Sequence, residues 1–304
     1  MAKIVVTNPM DFSKEQKSRL EKLGKITYFD SHPASPDEWL KRCKGFNIIC
    51  SWVFGLRENY SKLKNVFISV PFVGVSSFAD PAVLKANNIT ICNSPGCNRH
   101  AVSEWIIYMM LTAMRHLDTY INTTKKLTIP LPNPTIGLAG KNITILGNGN
   151  VGKRVGAISK AFEMNVTYFK RGDNLSRAVE NADIVVDALS SNPSSKGLLN
   201  KSFFNSLKRG AIFISVTVDA IVNIDEMLQA LDKGQLAFVA HDVMNAKPAD
   251  TLDPLYKKLI NHANVFATPH IAGFSDVTTR IGNNMMIDNV EAWLKGKPIH
   301  VFGR

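Results

Sequence analysis

The 304-residue sequence predicts an α/β protein built as two doubly wound parallel sheets. Short β-branched runs alternate with amphipathic or capped helical stretches from the first residues onward. This alternation breaks once, at a long apolar helix and a proline-rich loop, and then starts again. Strands that alternate with helices at this spacing pair in parallel, because each crossover helix returns the chain to the same end of the sheet. Both faces of such a sheet are covered.

In chain order, Ile4–Thr7, Ile26–Phe29, Phe46–Ser51, Val66–Val70 and Ile89–Asn93 are strand-like runs. Between them, Ser35-Pro36-Asp37-Glu38 starts a helix: Ser caps the free N–H groups, Pro suits the first helical position and Glu38 reaches back to the cap. Asp80-Pro81 starts another by the same logic. Residues 1–98 therefore form one domain. A long helix from Arg99 to Leu117, with Val102, Trp105, Ile106, Met109 and Ala113 on one stripe, bridges to a second, and Thr128–Pro134 closes the connection. The alternation resumes with Ile143–Leu146, Val166–Phe169, Asp183–Leu189, Ala211–Thr217, Leu236–Val243 and Val265–Ala267. A last helix runs from Ser275 to Lys295, with Val277, Ile281, Met285, Val290 and Trp293 apolar and Gly296 as its stop. Packed back on the first domain, it makes that domain discontinuous, 1–98 with 275–304, around a second domain at 99–274.

With 45% hydrophobic and 20% charged residues, the chain is neither disordered nor collagen-like. Cys43, Cys50, Cys92 and Cys97 form no C-x-x-C pair, so a reduced, cytoplasmic setting is expected rather than a disulfide scaffold. The uncharged stretch Trp105–Met114 is about half of what a bilayer crossing needs. The strand-like opening Lys3–Thr7 predicts no secretory signal. The net charge of +11 is scattered, as in Lys14–Lys25, without interleaved aromatics, so no nucleic-acid partner is expected. His32, His100, His116, His262 and His300 have no partner at ligand spacing, and no metal site is expected.

Gly147-Asn-Gly-Asn-Val-Gly152 fits G-x-G-x-x-G between the strand Ile143–Leu146 and a helix carrying Val155, Ile158 and Phe162. Gly147 allows the tight turn, Gly149 lets the backbone approach a pyrophosphate, and Gly152 lets helix and strand pack closely. The helix N-terminus adds free N–H groups and partial positive charge for the phosphates. A carboxylate at the end of the next strand would take the ribose hydroxyls of NAD. Here Val166–Phe169 runs into Lys170-Arg171, two cations suited to a 2′-phosphate, and no acid follows until Asp173. The expected cofactor is NADP(H), with NAD(H) as the alternative.

The chain resembles the D-isomer-specific 2-hydroxyacid dehydrogenases over essentially its whole length. The landmarks are Asn93-Ser-Pro-Gly96 with Ala101-Val-Ser-Glu104, Gly140-Lys141 before the glycine loop, and Thr268-Pro-His270 followed by Ala272-Gly273. The resemblance implies a flavodoxin-like substrate domain, a Rossmann cofactor domain, an active-site cleft at their hinge, a small-molecule substrate and a homodimer. It makes His270 the group that exchanges a proton with the substrate oxygen while hydride passes to or from the nicotinamide. An imidazole suits this work because its unperturbed pKa of about 6.5 lies near neutrality.

The family's other two catalytic residues have no counterpart. Its arginine position falls on Val218 in Ser215–Ala220, and its glutamate position on Lys247 in Ala246-Lys-Pro248. Loss of the arginine forfeits a charge-assisted bond worth about 1.5–3 kcal/mol. A cation beside an imidazole disfavours the protonated form, where the glutamate would favour it. Asp219 is a substitute partner for the histidine by sequence position alone. The resemblance also places Asn150 and Val151 at the pyrophosphate and Ala188, Leu189 and Asn192 along the cofactor. It places Val216, Thr217, Val218, Asp242, His270 and Gly273 toward the nicotinamide. Gly74, Val75 and Ser76 resemble a loop whose main-chain N–H groups hold a substrate carboxylate. Two functions fit: an oxidoreductase with an atypical substrate, or a catalytically silent dinucleotide-binding regulator.

Overall fold

The computed structural model describes residues 2–115, 136–218, 220–243 and 249–303. The chain divides into two compact units, one of Met1–Asn98 with Phe274–Arg304 and one of Arg99–Gly273.

The first unit carries strands β1 (Ala2–Val6), β2 (Gly24–Tyr28), β3 (Ile48–Cys50), β4 (Val66–Ser69) and β5 (Ile89–Cys92). All are parallel, in the order β2-β1-β3-β4-β5. Helices α1 (Lys14–Glu21), α2 (Pro36–Cys43), α3 (Leu56–Asn59) and α4 (Pro81–Ala86) connect them. Ser13 and Gln16 form a reciprocal capping box on α1, Ser35 caps α2, and Asp80 caps α4. Strands β3 and β4 are buried at every residue, as expected of central strands covered on both faces.

Period-two alternation along β1 sends Val5 to one core and Ile4 and Val6 to the other. The first core is closed by Trp39 and Leu56. The second is closed by Met286, Ile287 and Val290 of a helix from the far end of the chain. Each of these buried side chains is worth about 1.5–3 kcal/mol. That helix lies close because Gly282 presents no Cβ to the Pro71 carbonyl oxygen. Trp293 stacks on Phe67 at 4.7 Å, and Ser69 Oγ donates to the Met286 carbonyl at 3.0 Å.

The second unit opens with α5 (Arg99–Arg115). The strands β6 (Asn142–Leu146), β7 (Asn165–Phe169), β8 (Ile184–Asp187), β9 (Ala211–Ser215), β10 (Leu236–Asp242) and β11 (Val265–Thr268) follow. Their helices are α6 (Asn150–Ala161), α7 (Leu175–Val179), α8 (Lys201–Ser206), α9 (Ile224–Asp232) and α10 (Pro254–Ile260); α11 (Asp276–Leu294) is the returning helix of the first unit. The six strands are parallel in the order β11-β10-β9-β8-β6-β7. The chain steps from β6 to β7 on one side and crosses back to β8 on the other, so the loop after β6 stands at a topological switch point. In open α/β sheets ligands bind outside the carboxyl ends of the strands at such a point. The proline-rich segment Thr128–Pro134 lies outside the described residues.

Three polar side chains interrupt one apolar face of this sheet at its carboxyl edge. Asp187, Ser215 and His241 are register partners on β8, β9 and β10, and all are fully buried. Neither His241 ring nitrogen has a hydrogen-bond partner, and burial pushes the imidazole down to about 4. Burial pushes the Asp187 carboxyl up to about 6, against the hydrogen bonds it accepts.

These shifts have opposite linkage signs. Unfolded His241 protonates near pH 6.5 and folded His241 only near 4, so the unfolded chain gains protons, and stability falls, as pH drops through that window. Folded Asp187 keeps its proton up to about pH 6 instead of 3.8, so its cost is absent in acid and grows as pH rises to 6. Each shift is on the order of 3 kcal/mol, so the two largely offset one another. His241→Leu removes one side of the balance and two unpaired buried nitrogens. Its melting temperature should equal or exceed the parent's above pH 6.5, and the margin should widen as pH falls toward 4. A pH-independent margin in paired thermal melts would reject the neutral, unpartnered histidine.

Candidate functional site

The glycine loop is built by close approach. Gly147 has φ +104°, and a Cβ there would lie 2.6 Å from the Ala188 carbonyl oxygen. A Cβ at Gly152 would run into the Gly147 carbonyl oxygen, and one at Gly156 into the Tyr168 hydroxyl. Gly149 is different: it is exposed, and nothing stands within 4 Å of where its Cβ would be. Helices α2, α9 and α11 have Ser35, Asn223 and Ser275 side chains accepting from their first-turn amides, whereas α6 starts at Gly149 with no side-chain cap. The first-turn N–H groups, those of Asn150 and Val151 among them, therefore sit at a helix start that no side chain caps, with positive partial charge. This cradle fits the pyrophosphate of a dinucleotide.

Beyond β7, the chain makes a turn in which Lys170 N–H donates to Asp173 Oδ2 at 2.8 Å and Asp173 N–H returns a bond to the Lys170 carbonyl at 3.0 Å. Gly172, at φ +97°, completes it. The one acid of the turn is folded onto its own backbone. The side chains of Lys170 and Arg171 are exposed, with no ion pair among the described residues.

The loop after β8 carries Ala188, Leu189 and Asn192. Ala188 N–H donates to the Leu146 carbonyl, which extends the pairing of β6 and β8 under the glycine turn. Asn192 holds its own loop: its Oδ1 accepts from Ser194 N–H at 3.0 Å and Ser194 Oγ at 2.6 Å, and its Nδ2 donates to the Ser190 carbonyl. After β9, Val216 packs against one core of the sheet and Val218 against the other. Thr217 is buried between them, its hydroxyl donating to Asp187 Oδ2. Val218 is thus an apolar, half-buried side chain at the position where the resemblance sets an arginine. Asp219 and Lys247 lie outside the described residues.

His270 follows β11 in the left-handed region, at φ +55°. Its surroundings are fixed by Asp242, which is fully buried at the end of β10. Oδ1 accepts from Thr268 Oγ1 at 2.6 Å and from Ile271 N–H at 2.9 Å, while Oδ2 accepts from Ala272 N–H at 3.0 Å. One carboxylate therefore clamps the chain on both sides of His270, next to Gly273. The histidine was legible from sequence; its clamp was not, since Asp242 and Ala272 are 30 residues apart. Asp187, which ends β8 and is fully buried, also had no place in the sequence reading. Its signal is an acid in the apolar run Ile184–Leu189.

In the first unit, Gly74-Val75-Ser76 forms the start of a one-turn 3₁₀ segment, Val75–Ser77. Val75 is buried and donates its N–H to the Val73 carbonyl at 2.9 Å, while Gly74 and Ser76 are exposed. Among the described residues no group of three or more His, Cys, Asp or Glu side chains is placed to hold a metal ion. No helix among them is long and apolar enough to cross a membrane.

Residues 107–272 match the family model described as "D-isomer specific 2-hydroxyacid dehydrogenase, NAD binding domain". A D-lactate dehydrogenase of Staphylococcus aureus is 24% identical over 302 residues, covering 91% of this chain and 92% of that protein. Among solved structures, a D-lactate dehydrogenase from Treponema pallidum has a TM-score of 0.82 at 19% identity, covering 100% of both chains. An acyclic imino acid reductase in complex with NADPH and D-Arg has a TM-score of 0.83 at 20% identity, covering 99% of both. The chain belongs to the D-isomer-specific 2-hydroxyacid dehydrogenases and is an NAD(P)-dependent oxidoreductase.

Proposed function

We propose that this enzyme prefers NADP(H) and transfers hydride to or from a small carbonyl or hydroxy compound, or the corresponding imine, that is not an ordinary 2-oxo acid. The observation that carries this reading is a complete glycine cradle, followed by two exposed unpaired cations, in the same unit as a histidine clamped by a buried carboxylate. A 2′-phosphate attracts Lys170 and Arg171, and Asp173, bonded to the turn's own amide, offers little repulsion. NAD(H) lacks that phosphate and would bind less tightly. The bound dinucleotide supplies or takes up the hydride.

The chain's residues do the rest. The open amides of α6 hold the pyrophosphate, and Lys170 and Arg171 anchor the adenosine end. In reduction, His270 gives a proton to the substrate oxygen or nitrogen as the carbon receives hydride; in oxidation it takes that proton back. Asp242 is a positioning residue here: its three accepted bonds fix the main chain on either side of the imidazole. Val218 puts an apolar wall where a carboxylate anchor would stand, so substrate acids lose about 1.5–3 kcal/mol of charge-assisted binding. Of the loop Gly74-Val75-Ser76, the exposed main chain of Gly74 and Ser76 is left for substrate in this reading, since Val75 N–H is already bonded to the Val73 carbonyl. The comparison with an acyclic imino acid reductase that holds NADPH is consistent with a substrate outside the 2-oxo acids.

Two measurements test the reading. Fluorescence titrations should show NADPH binding more tightly than NADH, and a Lys170→Asp, Arg171→Ala variant should lose tenfold or more of its NADPH affinity while keeping NADH; unchanged NADPH affinity rejects the cofactor assignment. In a screen of carbonyl and imine substrates, His270→Ala should cut kcat at least a hundredfold, and Asp242→Asn should lower kcat with the melting temperature kept within a few degrees. Turnover untouched by His270→Ala would remove the proton donor from the scheme.

A further inference from the structure

The geometry points to Asp187 as a positioning residue that sets, through Ser215 and Thr217, how the turn Val216–Val218 meets the nicotinamide. The inference rests on the cofactor reading above, which places that turn beside the nicotinamide ring.

Asp187 ends β8 and is fully buried on the face it shares with Ser215 and His241, among apolar side chains such as Leu146, Val185 and Phe213. An ionisable group at such a site is costly unless its hydrogen-bonding capacity is used. Both oxygens are used, and every bond goes to the exit of a strand. Oδ1 accepts from Leu189 N–H at 3.2 Å, at the start of the loop after β8. Oδ2 accepts from Ser215 Oγ at 3.0 Å and from Thr217 Oγ1, on either side of Val216. The Asp187 carbonyl also accepts from Val216 N–H at 3.2 Å, and Ser215 Oγ accepts from Thr217 N–H at 3.3 Å. A single residue on β8 thus holds both the second loop residue after its own strand and three successive residues, 215 to 217, at the exit of β9.

The direction of these bonds separates positioning from ordinary core packing. An apolar side chain at residue 187 would fill the same space among Leu146 and Val185 but would leave the Thr217 hydroxyl only Ser215 Oγ, at 3.3 Å, and would release both hydroxyls from β8. His241, the next register partner of Ser215, contributes nothing to the hold, because neither of its ring nitrogens is bonded. The carboxylate is therefore the element that selects one arrangement of the turn. Val218 follows directly, tied to Ile221 by the bond from Ile221 N–H to the Val218 carbonyl at 2.9 Å.

The test compares two ligands that differ only in the nicotinamide end, NADPH and 2′-phospho-ADP-ribose, with the full-length protein. Thr217→Val keeps the shape of the side chain and deletes its bond to Asp187; Asp187→Asn keeps the shape of the carboxylate and changes what it can accept. Both variants should bind 2′-phospho-ADP-ribose within about twofold of the parent and NADPH at least fivefold more weakly, and the double variant should lose no more than the stronger single change. Thermal melts run in parallel, and Asp187→Asn serves as the readout should Thr217→Val not fold. Equal weakening of both ligands, or no weakening of either, means that Asp187 only supports the core, and overturns the inference. A parent protein that binds neither ligand overturns the cofactor reading itself, and this inference with it.

Discussion

No Cβ can be accommodated at residue 147 or 152, and much of the candidate site follows from that constraint. Gly147 brings the end of β6 against the Ala188 carbonyl, and Gly152 brings α6 down onto Gly147. With the helix start drawn that close, a capping side chain is replaced by Gly149, whose surroundings are open. The same contact fixes where the loop after β8 leaves the sheet, because Ala188 is at once the wall of the glycine turn and the donor that continues the β6–β8 pairing. A larger residue at 147 would have to displace backbone rather than a side-chain end. The turn, the uncapped helix start and the neighbouring loop therefore stand or fall together.

Two buried carboxylates extend this order outward along the sheet's carboxyl edge. Asp187 and Asp242 end β8 and β10 and face opposite sides, as the alternation of strand side chains requires. Each accepts from groups at or just beyond strand ends: 189, 215 and 217 for Asp187, and 268, 271 and 272 for Asp242. Loop ends are where backbone amides lack ladder partners, and a carboxylate with two oxygens satisfies several at once. Interiors made this way hold loops without needing the loops to pack, which suits segments that must present main-chain groups to a ligand.

Much of the fold was legible because parallel strands buried on both faces must be short, β-branched and bounded by turn residues. Each run read as a strand is one, with ends that agree to within two residues. Ser35-Pro36 and Asp80-Pro81 announced their helices through local chemistry, and both caps are made. Strand order was not legible, since register partners such as Leu146 and Asp187 are distant in sequence and nothing local distinguishes a neighbour on one side from a neighbour on the other. Among the candidate site residues, the glycines, Lys170-Arg171 and His270 stand out in the sequence because the roles proposed for them depend on residue type at fixed spacing. The roles of Asp187 and Asp242 depend on bonds spanning 26 to 30 residues, which only the folded sheet brings together.

At Val218 the scaffold can be told apart from the specificity proposed for it. Its neighbour Thr217 is held by Asp187, and the turn is closed by Ile221, so the main chain at 218 is set by groups that do not depend on the identity of its side chain. An arginine there would serve a carboxylate; a valine lies on the core and leaves recognition to main-chain groups and to apolar contact. The dinucleotide cradle is untouched by that exchange, because its determinants are absent side chains and free amides at the far end of the glycine loop. On the proposed reading, substrate and cofactor recognition draw on different strand ends of one sheet, so the first can change without the second.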